Sequence, residues 1–263
     1  MKLTADDIAF FKREGYLIKR DVLDPELTAR ARDRLWDDPP PSLKRDDPDT
    51  WIGPVAEDEE SDDRDNYKKG FRWQYRAPGR EAWMVQLLAK NAAVWAMAEQ
   101  FLGQGKLTEP SGIRGIYCTL PYGDEPERPT GCHVDAHPFH LGVVGYIDHV
   151  PENGGGFCVW PGSHLEFYPT FVTRYKRDAT DEYEKVRERF SEQPPVDCWG
   201  SAGDILFWHH RIGHMAGHNR SRQIRQAVLY DFVKTDIEQT QDLPPLDDMW
   251  LDWSEEVQRT SLS

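Results

Sequence analysis

All nine histidines of this 263-residue chain lie between His133 and His218, so the groups best able to bind metal or move protons are gathered in one stretch. Within it, His133-Val134-Asp135 sets an imidazole and a carboxylate two residues apart. On an extended chain, residues i and i+2 point to the same side, so both can reach one metal ion. A third ligand must come from elsewhere, and the run from Gly203 to His214 offers candidates. Two histidines and one carboxylate on one face leave neighbouring coordination positions open, the arrangement of non-heme Fe(II) oxygenases. The four cysteines (Cys118, Cys132, Cys158, Cys198) form no CxxC pair. Neither a zinc site nor a disulfide framework is expected, and a reduced, cytoplasmic protein is.

The remaining chemistry-bearing residues divide into structural and functional readings. His149, His164, His209 and His218 read as structural histidines bonded to backbone. His137 and His140 follow the HxD triplet closely enough to face a substrate or to support a metal ligand from behind. Gly154-Gly155-Gly156 lacks the Lys-Ser/Thr and the helix of a phosphate loop, so it reads as a tight turn between strands. Upstream, Phe71, Trp73 and Tyr75 are interleaved with the cations Lys68, Lys69, Arg72 and Arg76. That pattern fits an edge strand with one packed face. It also fits a pocket wall, with Arg72, Trp73 and Tyr75 receiving an anionic or aromatic substrate.

These residues need elements to hold them. Thr4, with Asp7 three residues on, predicts a helix N-cap, and Gly15 predicts that helix's end. Asp24-Pro25-Glu26 opens a second helix to about Trp36, closed by Pro39-Pro40-Pro41. The apolar period from Glu81 to Leu102 predicts a third, stopped by Gly103. Beyond residue 110 the texture becomes short apolar or alternating runs at 113–120, 140–149, 156–160, 204–208 and 223–233, interrupted by a charged helix over Tyr183 to Phe190. A helical first third followed by many strands predicts an α+β layout or a helix-decorated β-barrel.

Lys and Arg total 32 against 46 Asp and Glu, a formal charge of −14. Ten acids and one base fall between Asp46 and Asp65, so most of the excess is a local, solvated run within a Pro- and acid-rich loop over 37–66. Nucleic acid, which wants a basic face, is not expected as a partner. Nor is a membrane, because no apolar run approaches the 18 or so residues of a span. No secretory leader is read at the N-terminus. A small-molecule substrate is expected.

Taken together, His133-x-Asp135, Asn153-Gly154-Gly155, Trp160-Pro161-Gly162-Ser163-His164, Gly203-Asp204, and His214 followed by Asn219, Ser221 and Arg225 resemble the phytanoyl-CoA dioxygenase family. Phe10-Phe11, Gly15-Tyr16 and Val22-Leu23-Asp24-Pro25 resemble that family's opening. The likeness covers about 10–36 and 112–233, while 37–80 and 165–200 match no recognised pattern. It implies a mainly β fold with helices: a double-stranded β-helix, the cupin-like jelly-roll barrel, buttressed by N-terminal helices. It also implies one oxygenase domain over 1–263, with mostly helical support and a mobile acidic loop in 1–105, the jelly-roll core in 110–235 and a C-terminal tail in 236–263.

The resemblance further implies Fe(II) on His133, Asp135 and His214, with 2-oxoglutarate and O2 as co-substrates. His214 stands eleven residues before Arg225, the family's spacing, whereas His209, His210 and His218 stand sixteen, fifteen and seven away. Arg225 would hold the far carboxylate of 2-oxoglutarate, to which its planar fork is suited. Many relatives carry a hydroxyl two residues past the distal histidine; here that residue is Ala216, and Thr119 or Tyr117 are the substitutes expected. Related halogenases replace the carboxylate with a small residue, so Asp135 favours hydroxylation of a C–H bond, or another oxidation, over halogenation, with release of succinate and CO2. The alternatives are a cupin-like metalloenzyme that does not use 2-oxoglutarate, and a non-catalytic ligand-binding member. Loops 37–70 and 165–200 are candidate lids.

Overall fold

Thr4 caps the first helix α1 (Ala5–Glu14) with a reciprocal Thr4–Asp7 box, and Gly15 ends it in the left-handed region at φ 81°. A side chain at Gly15 would also meet His164, whose Nδ1 lies 2.5 Å from the position a Cβ would take. The computed structural model describes residues 1–124 and 131–261. The second helix α2 (Pro25–Leu35) is capped by Asp24 as expected. The single helix expected over 81–102 is instead two, α3 (Ala82–Leu87) and α4 (Ala92–Leu102). The break falls where Asn91 turns its side chain onto the amides of Ala93 and Val94 and starts a new N-cap.

Ten strands follow one another among the described residues: β1 (Tyr16–Lys19), β2 (Asn66–Lys69), β3 (Arg72–Tyr75), β4 (Ile116–Thr119), β5 (Leu141–Tyr146), β6 (Phe157–Val159), β7 (Val196–Cys198), β8 (Ile205–His209), β9 (His214–Ala216) and β10 (Arg225–Phe232). They form a seven-stranded sheet in the order β1-β8-β5-β10-β4-β3-β2 and a three-stranded sheet in the order β7-β6-β9, every pairing antiparallel. The layout is a jelly-roll sandwich rather than a closed barrel. β1, β2 and β3 come from the first third of the chain, so that third extends the major sheet as well as supplying helices.

Two apolar layers sandwich the major sheet. Ile116, Val143, Phe207, Val228 and Phe232 face a helical layer that includes Phe11, Leu35 and Phe101. Val144, Tyr146, Leu206, Trp208, Ala227 and Leu229 face the minor sheet and meet its Phe157, Val159 and Cys198. The period of two along β10 therefore places Arg225 and Asp231 on the inner face with Ala227 and Leu229.

Two connecting regions carry more order than composition implies. In the acidic loop, Leu43 and Val55 are buried, and Trp51 packs on Trp36 with ring centres 5.8 Å apart. Its few apolar residues anchor it, while its acids face solvent or pair with neighbouring cations, among them Arg222, Lys68 and Arg80. Between β6 and β7 lie α5 (Ser163–Phe167) and α6 (Glu182–Ser191). The C-terminal stretch, with α7 (Ile237–Thr240) and α8 (Glu255–Arg259), turns Trp250, Trp253 and Val257 into the helical layer against Phe11 and Phe101.

Candidate metal centre and its clefts

His133 and His214 are brought together by the minor sheet. Their backbones exchange hydrogen bonds across an isolated bridge, His133 N–H to His214 O at 3.3 Å and His214 N–H to His133 O at 3.0 Å. Alternation does the rest: Cys132 and Val134 turn into an apolar cluster with Phe167 and Tyr183, so His133 and Asp135 turn the other way. The Pro161-Gly162-Ser163-His164 turn fixes the approach to His214. Ser163 Oγ accepts from Gly213 N–H at 2.8 Å, and Trp160 N–H donates to Gly213 O at 3.0 Å.

The ligand atoms of His133, Asp135 and His214 all lie within 4.8 Å of one another. His214 Nε2 is 3.6 Å from Asp135 Oδ1. Each imidazole donates its Nδ1–H to a carbonyl, His133 to Gly131 and His214 to Ile212, both at 3.0 Å. A carbonyl can only accept, so each ring in its neutral form keeps the lone pair on Nε2, the form a metal needs. Burial, reinforced by His214, pushes His133 down to about 4, so it stays neutral at physiological pH. Burial alone would raise the Asp135 carboxyl, but His214 and the Arg114 guanidinium reverse this and hold it well below the usual carboxylate range. His133 and Asp135 are thus in metal-binding protonation states.

A second group, Asp135, His137 and Asp231, is equally close. Arg114 occupies its middle. The guanidinium lies 3.0 Å from Asp135 Oδ2 and from His137 Nε2, and 2.6 and 2.8 Å from the two Asp231 oxygens. A cation already stands where a metal would, so the first group is the candidate centre.

Beside that centre is a cleft of about 160 Å³ lined by His133, Thr119, Ala216, Arg72, Phe71 and His218 among others. Arg225 is the register partner of Thr119, on the neighbouring strand. Arg225 is buried; its Nη1 donates to Tyr117 O at 3.2 Å, and its Nε has no partner. Among the described residues no carboxylate forms an ion pair with it, and burial lowers its pKa. An uncompensated buried guanidinium is costly, and a carboxylate has the charge and geometry to match it. Asn219 braces this wall, donating to Thr119 O at 2.9 Å and Gln223 O at 2.7 Å.

A sequence profile of the phytanoyl-CoA dioxygenase (PhyH) family matches residues 11–227. This chain belongs to that family. That family is one of non-heme iron oxygenases that use Fe(II), 2-oxoglutarate and O2. The peroxisomal phytanoyl-CoA dioxygenases of Rattus norvegicus and Mus musculus are each 25% identical to it over 112 residues. That match spans 40% of this chain and about a third of either relative's length, 33%. In fold it resembles the α-ketoglutarate-dependent carbocyclase SnoK of nogalamycin biosynthesis, with a TM-score of 0.55, 19% identity, and 94% of this chain and 95% of that one covered. EctD from S. alaskensis, solved with bound Fe, gives 0.57 and 17%, with 92% and 80% covered. The epimerase SnoN, solved with Fe3+, α-ketoglutarate and nogalamycin RO, gives 0.54 and 21%, with 93% and 96% covered.

Against the phytanoyl-CoA dioxygenase frame, several expected residues fall elsewhere. Trp73 and Tyr75 do not wall a pocket: both are buried in the helical layer. Trp73 donates Nε1–H to Asn66 Oδ1 at 2.9 Å, and Tyr75 OH accepts from Arg34 at 2.7 Å. β3 has two faces, and the helices need an apolar one. Arg72, on the opposite face, does line the cleft with Thr119, its register partner on that side. His140 is also corrected, being fully buried against Tyr175 with Lys234 N–H donating to its Nδ1. Tyr117 holds Arg225 through its backbone carbonyl, while its side chain turns to a neighbouring cleft and accepts from Arg76. Arg114 and Asp231 were not singled out from the sequence. The available signal was the alternation from Arg225 along β10, which puts an acid on an apolar inner face. Among the described residues no helix is long and apolar enough to cross a membrane.

Proposed function

We propose that this chain is an Fe(II)- and 2-oxoglutarate-dependent dioxygenase that hydroxylates a C–H bond of a small organic molecule and releases succinate and CO2. The observation that carries the reading is the pairing of a two-histidine, one-carboxylate set held at the minor sheet with a buried, uncompensated Arg225 on the inner face of the major sheet. A metalloenzyme without 2-oxoglutarate would leave that guanidinium idle.

In this reading His133 and His214 offer their Nε2 atoms and Asp135 its Oδ1 to the iron. Bound there, Fe(II) supplies the activation of O2 and the oxidative decarboxylation of 2-oxoglutarate that together oxidise the substrate. Arg225 receives the far carboxylate, with the Thr119 hydroxyl beside it in place of the one missing at Ala216. Arg72 and His137 stand toward the substrate at the mouth. The segments 37–70 and 165–200 close over it and exclude water. The domain comprises 1–263 as one unit, and four buried free thiols suit the reducing cytoplasm.

The test needs no substrate. Anaerobic protein with Fe(II) is titrated with 2-oxoglutarate while the weak visible metal-to-ligand charge-transfer band is followed, in the wild type, His214→Ala and Arg225→Ala. A band present in the wild type and weakened or lost in both variants supports the reading. Bound iron without a band sinks it.

A further inference from the structure

A second cleft, of about 400 Å³, includes Arg114, which contacts Asp135 of the candidate metal centre. Arg64, Arg76, Arg80 and Arg114 wall it, with Asp65 as the one acid among its lining residues. Four guanidiniums in one cleft is notable in a chain of net charge −14. Two are already neutralised: Arg80 by Asp65 at 2.6 Å, and Arg114 by Asp231 and Asp135. Arg64 and Arg76 form no ion pair among the described residues.

Arg76 is the better ordered of the two. Its Nε donates to Tyr117 OH at 2.9 Å, its Nη1 to Arg64 O at 3.2 Å, and its Nη2 to Gln74 Oε1. All three acceptors are neutral. One N–H on each terminal nitrogen remains, which suits a carboxylate. Tyr117, which floors this cleft, and Thr119, which lines the other, lie two residues apart on one face of β4, about 7 Å along the strand. Arg114 joins the cleft to the centre, being 3.0 Å from Asp135 Oδ2. A molecule anchored at Arg76 would therefore extend past Arg114 toward the candidate centre.

We propose that this cleft is the substrate's carboxylate subsite, with Arg76 as its principal receiver and Arg64 beside it, so that the molecule oxidised is a small organic acid. The proposal rests on the oxygenase reading and narrows its substrate class. A phosphate ester would bring more negative charge toward Asp65 and is the less suited anion.

The test uses the full chain loaded with Fe(II) and saturating 2-oxoglutarate without O2, so that Arg225 is already occupied. Hexanoate, hexanamide and inorganic phosphate are titrated separately by calorimetry. Hexanoate binds, and hexanamide is weaker by about tenfold or more. Arg76→Gln weakens hexanoate by about ten- to hundredfold, as losing charge-assisted bonds should, and Arg76→Lys by less. Both variants keep the wild-type 2-oxoglutarate titration. Equal affinity for acid and amide overturns the proposal, as does undiminished hexanoate binding in Arg76→Gln or tighter binding of phosphate than hexanoate. Should the charge-transfer band never form, the same three probes on metal-free Arg225→Met protein still decide the subsite, separating its fate from that of the oxygenase reading.

Discussion

The two oxygens of Asp135 have different partners: Oδ1 faces His214 Nε2 at 3.6 Å, and Oδ2 takes a hydrogen bond from Arg114 Nη2 at 3.0 Å. Arg114 is itself clamped by both oxygens of Asp231. The clamp leaves Asp135 one oxygen for a metal and reserves the other. Arg114→Gln should therefore free Oδ2 to take a second coordination position, at the expense of 2-oxoglutarate. The expected outcome is Fe(II) affinity close to wild type and 2-oxoglutarate affinity about ten- to hundredfold weaker, read from the charge-transfer titration, with partial recovery in Arg114→Lys. Unchanged 2-oxoglutarate affinity would show that the clamp does not govern coordination.

Arg225 carries a buried charge without a counter-ion. Replacing such a group by an apolar side chain of similar length is neutral or stabilising when no ligand is present. Arg225→Met should thus match or exceed the wild type in thermal midpoint as apo-protein. It should still bind Fe(II) while losing about two orders of magnitude in 2-oxoglutarate affinity. A loss of stability equal to a core truncation would mean that the guanidinium is structural.

Four buried histidines away from the candidate centre, His140, His164, His209 and His210, set an acid limit, each with its pKa lowered by burial. Burial pushes His140 down to about 3 and His164 to about 4, against about 6.5 in an unfolded chain. Below about 6.5 the unfolded chain therefore binds protons that the folded one refuses, and stability is lost as pH falls toward 4. The slope is up to about 1.4 kcal/mol per pH unit for each histidine. Urea midpoints measured between neutrality and about pH 5 should fall accordingly. His140→Asn, which keeps an acceptor for Lys234 N–H, should flatten that fall.

Trp73 provides the check on where the aromatic hairpin belongs. Trp73→Phe removes the bond to Asn66 and part of the packing on Trp36, and should cost about 1–3 kcal/mol in denaturant unfolding. The 2-oxoglutarate titration of the folded variant should be unaltered. A selective change in ligand binding with stability intact would return Trp73 to the pocket wall.

Much of this was legible in the residues themselves. A period of two placed His133 and Asp135 on one side of an extended segment, and the Thr4, Asp24 and Gly15 signals bounded the first two helices, because those relations are local. The spacing of His214 from Arg225 carried over because β9 and β10 are joined by a short loop that Asn219 ties down. What local pattern could not decide was which face of a strand meets which layer. Trp73 and Tyr75 alternate with Arg72 and Gln74, and period alone does not say whether the aromatic face meets helices or a ligand. The helices α1, α2 and α4 decide it, by requiring an apolar surface to cover.

Contacts between distant positions lay further out of reach. Arg114 and Asp231 are 117 residues apart, and each alone is an ordinary charged residue. Their meeting depends on the register of β10 against its neighbours, which also sets Asp135 beside them. The kinds of group available, and their order along the chain, were determined by the sequence through short-range periodicity and spacing. Which charges neutralise one another, and which are left for a ligand to neutralise, was decided only when the sheets packed, because electrostatic pairing depends on separation in space.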